Sequence, residues 1–192
     1  FLQYKNMIGS FSSAQIRYYI NTAVLKSLPE REYNSGMGEV IKHGLIKDSG
    51  YYQWIRDHKE EIKTRNEKVL REMIYRSCLI KGGVVERDPK EQGERALLNF
   101  GHTLGHAIEK LKDFQWLHGE CVGIGCQLAA VISAERGEIS QEDVQDIKEL
   151  FREFGLWQPV KDLDPAEVTE TTKSDKKMEG NHVKFILLHK IG

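Results

Sequence analysis

Two histidines stand four residues apart in Asn99-Phe100-Gly101-His102-Thr103-Leu104-Gly105-His106. On a helix that spacing stacks both rings on one face, from which one element can offer two nitrogens to a metal ion. No glutamate follows His102 directly, so the stretch is not the HExxH pattern of zinc proteases. A third histidine, His118, precedes a Gly-Glu pair, and upstream Glu39 is followed by Lys42 and His43. One carboxylate with two or three imidazoles is a typical catalytic zinc set, with a position left open for substrate. Plainer readings fit the same residues. The histidine pair also describes a polar, half-exposed helix face, His118 an ordinary helix start, and Glu39 with Lys42 and His43 a surface pairing. His43, one turn from Glu39, is either a rival ligand or a solvated neighbour.

The glycines around these residues raise the metal reading. Gly101, Gly105, Gly119, Gly123 and Gly125 fall within or beside expected helices, where each costs about 1 kcal/mol relative to alanine. Such placements predict close approach of backbone or ligand. Lys5, Asn6, Lys42, Lys81, Arg95, Asn99, Lys176 and Lys177 add cations and amides. Separately they are ordinary surface residues. Gathered beside a metal they would suit an anionic, polyhydroxylated substrate, because lysine and arginine neutralise phosphate and carboxylate while asparagine bonds hydroxyls.

The elements that must position these groups are mostly helical. Only four prolines interrupt 192 residues, and a 3.6-residue periodicity predominates. Helices are predicted from Asn21 or Thr22 towards Leu28, over Gly38–Lys47, around Tyr51–Ile55, over Glu67–Glu86, over 102–112 and 118–136, from Ser140 to Phe154, and after Asp164-Pro165. Asp48-Ser49-Gly50 and Ser174–Gly180 read as turns. Segments 16–20 and 183–188 read as short strands, expected to pair with each other or with a part outside this chain. A 40% hydrophobic content supports a sizeable core. Twenty-eight basic against 29 acidic residues argues against a nucleic-acid binder relying on bulk charge. No apolar run reaches the ~20 residues of a membrane span. Three cysteines without CxxC spacing read as reduced thiols, hence a cytoplasmic protein. The expectation is one mainly α, multi-helix domain over 1–192, excised from a longer chain.

Across nearly its whole length the sequence resembles the C-terminal domain of the 3-dehydroquinate synthase family of sugar-phosphate cyclases. The matching stretches are Lys5-Asn6-Met7-Ile8-Gly9, Leu28-Pro29-Glu30-Arg31-Glu32, Gly38 to Ile46, Lys81 to Asp88, Leu97 to Glu109, Leu117-His118-Gly119-Glu120 and Asp175-Lys176-Lys177. The resemblance implies Glu39, His102 and His118 as zinc ligands, with Co²⁺ as the alternative ion. It moves His106 off the metal to a phosphate-facing, proton-handling role. It places Lys42, Lys81, Glu91, Arg95 and Asn99 at the substrate's hydroxyls and carboxylate, and Lys5, Asn6 and one of Lys176 and Lys177 at its anionic groups. It further implies NAD held by an N-terminal nucleotide-binding domain, of which this chain shows no GxGxxG-like turn, and a homodimer at full length. The implied reaction eliminates phosphate from a seven-carbon keto-acid sugar phosphate and closes a carbocycle. The isolated domain is then expected to lack turnover. Rival readings are another sugar-phosphate cyclase, a zinc-dependent polyol dehydrogenase, and a non-catalytic module whose zinc only staples helices.

Overall fold

The computed structural model describes residues 19–158, 160, 162–173, 178–179 and 182–192. Among the described residues eight α-helices run in order: α1 Glu30–Lys47, α2 Ser49–Asp57, α3 Lys59–Lys63, α4 Glu67–Arg87, α5 His102–Leu111, α6 His118–Glu135, α7 Gln141–Glu153 and α8 Pro165–Thr172. Short 3-10 helices cover Thr22–Lys26 and Glu94–Asn99. A two-stranded antiparallel hairpin pairs β1 Met178–Glu179 with β2 His182–Val183.

Local signals set most boundaries. The Asn21 carboxamide accepts from the Ala23 amide at 3.0 Å, and Asn66 caps α4 by accepting from Lys68 and Val69. Ser140 Oγ accepts from Asp143 N at 3.0 Å while Asp143 accepts from Ser140 N at 2.9 Å, a reciprocal cap that opens α7. Gly155, at φ 66°, closes that helix in the left-handed region. α1 begins eight residues earlier than predicted, directly after Pro29, with Glu30 and Glu32 in its first turn. Gly36 and Gly38 do not break it. Ser49 and Gly50 are helical rather than a turn, because Asp48 caps α2 by accepting from Tyr51 N at 2.8 Å.

α6 is buried on nearly every side, as its almost continuous run of apolar and small residues requires. It lies against α1, α5 and α7, and α1 in turn packs on α2 and α4. Met37, Ile41 and Leu45 of α1, Val122, Cys126, Ala129 and Ala130 of α6, and Ile147 and Phe151 of α7 form the centre of the core. Cys78, Cys121 and Cys126 form no disulfide with one another. No helix among the described residues is long and apolar enough to cross a membrane.

The two predicted strands need correction. Residues 16–18 lie outside the described residues, and Tyr19 and Ile20 are exposed and non-strand. Of 183–188 only Val183 joins a strand, and its partner is Met178, not the 16–20 segment. The rest runs without a strand partner across the helices. Side chains supply some of its hydrogen bonds instead: Thr103 Oγ1 donates to Lys184 O at 3.3 Å, and Leu188 N donates to Ser133 Oγ at 3.0 Å.

Candidate metal centre

Three helices meet at glycines beside the predicted ligands. A Cβ on Gly119, next to His118, would stand 1.8 Å from the Ser35 carbonyl oxygen of α1; one on Gly38, next to Glu39, would stand 2.4 Å from Gly119 O. On the other side of α6, a Cβ on Gly125 would lie 1.9 Å from Gly101 O, next to His102. Only hydrogen fits at these crossings, so the backbones come close enough for short side chains to converge. Gly105 packs on Cys121 and Val122 in the same way, whereas Gly123 makes side-chain contacts with Phe151 and Leu156. A bidentate pair fixes the start of α6: Arg31 Nε and Nη2 each donate to Glu120 at 2.7 Å. Glu120 also accepts from Leu117 N at 2.8 Å.

Held this way, Glu39 of α1, His102 of α5 and His118 of α6 turn toward one point. His102 Nε2 lies 3.2 Å and His118 Nε2 3.3 Å from Glu39 Oε1. A tetrahedral ion with bonds of ~2.0–2.1 Å has donor–donor edges of roughly 3.3–3.4 Å, so the spacing and the donor types fit zinc. The other ring nitrogens are committed elsewhere. His102 Nδ1 lies 3.1 Å from Phe100 O, an acceptor only, and so carries the proton. His118 Nδ1 faces the buried Glu109 carboxylate at 3.4 Å. Each Nε2 faces the same carboxylate oxygen, as a hydrogen-bond donor to it when protonated and as a lone pair for a cation held between them once that proton is displaced.

Burial raises the Glu39 carboxyl, but hydrogen bonds from His102 and His118 and the Lys42 ammonium outweigh it and hold Glu39 well below the usual carboxylate range. Glu109 and then Glu39 push His118 up to about 9, while burial lowers His102. Lys42 is buried and donates to Glu39 Oε2 and, at 2.7 Å, to Leu98 O. It thereby fastens the Glu94–Asn99 turn to the centre.

His106 packs its ring 5.2 Å from that of His102 and 5.8 Å from that of His118. With Glu109 and His118 it forms a second grouping of potential ligands that shares His118 with the first. Glu91, Arg95 and Asn99 share one loop: Asn99 donates to Glu91, and Arg95 Nη1 donates to Pro89 O at 2.6 Å. Asp88 orders that loop by accepting from the amides of Gln92, Gly93 and Arg95. Lys81 is exposed on α4. Lys5, Asn6, Lys176 and Lys177 lie outside the described residues.

Two residues differ from their sequence readings. His43 is neither a solvated neighbour nor part of either grouping of potential ligands. It is buried with no hydrogen-bond partner at either ring nitrogen among the described residues, and burial pushes it down to about 4. Glu109 received no role from the sequence, although it stands seven residues after His102 and three after His106, on their helix face.

The sequence profile described as 3-dehydroquinate synthase C-terminal matches residues 36–178. The chain belongs to that family. A 3-dehydroquinate synthase of Nitrosospira multiformis is 44% identical over 189 residues, 98% of this chain and 51% of the relative. That of Ruminiclostridium cellulolyticum is 41% identical over 98% of this chain and 52% of the relative. The chain thus spans about half the length of the curated relatives it matches. Among solved structures, 2-epi-5-epi-valiolone synthase from Streptomyces hygroscopicus subsp. jinggangensis, with NAD⁺ and Zn²⁺ bound, superimposes with a TM-score of 0.81. It is 21% identical, over 90% of this chain and 48% of that one, and shows the shared fold. A 2-deoxy-scyllo-inosose synthase complexed with carbaglucose-6-phosphate, NAD⁺ and Co²⁺ gives a TM-score of 0.76 at 26% identity, over 89% and 48%. The family membership bears out the expected multi-helix fold.

Proposed function

We propose that this chain is the metal- and substrate-binding part of a 3-dehydroquinate synthase. The whole enzyme would convert 3-deoxy-D-arabino-heptulosonate 7-phosphate to 3-dehydroquinate and phosphate by oxidation, β-elimination, reduction and intramolecular aldol closure. The observation that carries this reading is the convergence of two imidazole Nε2 atoms on the Glu39 carboxylate inside a family of that name. Zn²⁺ at Glu39, His102 and His118, with Co²⁺ as alternative, would supply Lewis acidity toward the hydroxyl being oxidised. NAD, held by a nucleotide-binding part outside these 192 residues, would supply the hydride exchange.

The chain's own residues do the binding and proton handling. Lys42 holds the second oxygen of Glu39 and presents a buried positive charge beside the substrate hydroxyls. Lys81, Glu91, Arg95 and Asn99 contact hydroxyls and the carboxylate, for which the Arg95 guanidinium is the natural partner. Lys5, Asn6 and one of Lys176 and Lys177 bind the anionic groups. His106, beside the Glu39–His102–His118 grouping but not part of it, faces the phosphate and passes the proton that accompanies its departure. Arg95 and Asn99 favour the keto-acid substrate over those of other sugar-phosphate cyclases. A cytoplasmic homodimer is the proposed state of the whole enzyme.

Phosphate release tests the reading. With Zn²⁺, NAD⁺ and the heptulosonate phosphate, this chain alone should release none above background. A chain joined to a nucleotide-binding half should release phosphate and form dehydroquinate. Turnover by the isolated chain, or another product from the joined one, would refute it.

A further inference from the structure

We propose that Glu109 is a positioning residue for the metal centre: its buried carboxylate accepts the Nδ1 proton of His118 and holds that ring with Nε2 turned toward Glu39. The inference rests on Glu39, His102 and His118 being the ligands. The three are not equally well held. The His102 side chain is 12% exposed and tied to Phe100 O. That of His118 is 40% exposed and stands at the first residue of α6, with no preceding helical turn to restrain it. A ring in that position needs a second contact to fix its rotation and tautomer.

Glu109 provides that contact. It is 3% exposed, lies on α5 with His102 and His106, and its Oε2 is 3.4 Å from His118 Nδ1. An ionised carboxylate is acceptor-only, so the facing nitrogen must be the protonated one. An ion that displaces the Nε2 proton then finds its lone pair there, and a carboxylate behind an imidazole raises its basicity toward a metal. The competing assignment makes Glu109 a ligand together with His106 and His118, which lie within reach of one another. It would turn His118 Nδ1 to the ion and leave its Nε2, 3.3 Å from Glu39, without a role. It would also leave unused the Glu39–His102 contact and the Lys42 bond that orients Glu39.

Chelator competition with Zn²⁺ on the unsubstituted chain, Glu109→Leu, Glu109→Gln and His102→Ala decides between them. Glu109→Leu should bind one Zn²⁺ some 10- to 100-fold more weakly. Glu109→Gln, whose amide oxygen still accepts from Nδ1, should lose less. Imidazole ¹⁵N–¹H correlation on the zinc-loaded chain should show His118 metallated at Nε2 and protonated at Nδ1. Unchanged affinity in Glu109→Leu, metallation at His118 Nδ1, or loss of zinc in Glu109→Gln as complete as in His102→Ala would each overturn the proposal. If the leucine variant does not fold, the glutamine variant and the ring assignment decide alone: several-fold weaker binding with the Nδ1–H tautomer supports it, unchanged binding overturns it. Zinc retained in His102→Ala would instead sink the ligand assignment itself, a separate failure.

Discussion

Gly119→Ala should destroy the metal centre without touching a ligand. The added Cβ would meet Ser35 O at 1.8 Å, Ser35 C at 2.6 Å and Ser35 Oγ at 2.7 Å, where Cβ contacts below 3.0 Å essentially do not occur. Relief requires α6 and α1 to separate by about 1.2 Å at that point. On those two helices His118 sits next to Gly119 and Glu39 one turn after Ser35. Metal sites tolerate roughly ±0.2 Å in their bonds, so zinc affinity should fall on the order of 100-fold or more. Overpacking costs ~1–3 kcal/mol and the lost Gly119 N to Ser35 Oγ bond, 3.1 Å, about 1 kcal/mol. The better helix propensity of alanine returns ~1 kcal/mol, leaving a net loss of about 1–3 kcal/mol. Gly82→Ala is the control: this α4 position has open space around it, so it should gain ~0.5–1 kcal/mol and bind zinc normally. Urea unfolding and chelator competition read both quantities. A Gly119→Ala chain with unchanged midpoint and zinc affinity would refute the argument that glycine contacts set the ligand geometry.

His43→Leu should flatten part of the acid dependence of stability. The folded-state value of about 4 lies below the ordinary 6.5, so the unfolded chain takes up the proton first. The stability His43 permits is full above pH 6.5 and falls as pH drops to about 4, by ~3 kcal/mol at most. The variant should lose that slope and, since neither ring nitrogen is hydrogen-bonded, remain at least as stable at pH 7; urea midpoints between pH 4 and 7.5 check it. Arg31→Met should cost ~1–2 kcal/mol, since it strips Glu120 of its bidentate partner. Its zinc affinity should fall as well, because Glu120 anchors the turn that carries His118; thermal unfolding with and without zinc measures both.

The sequence was informative where chemistry or capping is local. His102, His118 and Glu39 were candidates from their motifs and the structure brings them together, and Asn66, Ser140 and Gly155 mark helix ends by hydrogen bonds within a few residues. It misled where a distant contact decides. Gly36 and Gly38 lower helix propensity, so α1 read as starting late, yet Gly38 is there because α6 crosses it at Gly119. Val183–Leu188 has strand composition, but a strand needs a partner, and here residues of α5 and α6 take some of its hydrogen bonds. Spacing alone treated His102 and His106 as equals; only the position of Glu39, sixty-odd residues upstream, distinguishes them. Glu109 was silent because its meaning depends on His118 of another helix.

Metal content of His102→Ala and His106→Ala tests the central claim most directly. Both residues lie on α5, one turn apart, and only His102 faces Glu39 at 3.2 Å. After zinc loading and exhaustive dialysis, the unsubstituted chain and His106→Ala should each retain one Zn²⁺, and His102→Ala none. If His106→Ala loses zinc as completely as His102→Ala, or His102→Ala keeps it, the centre is not the one built from Glu39, His102 and His118.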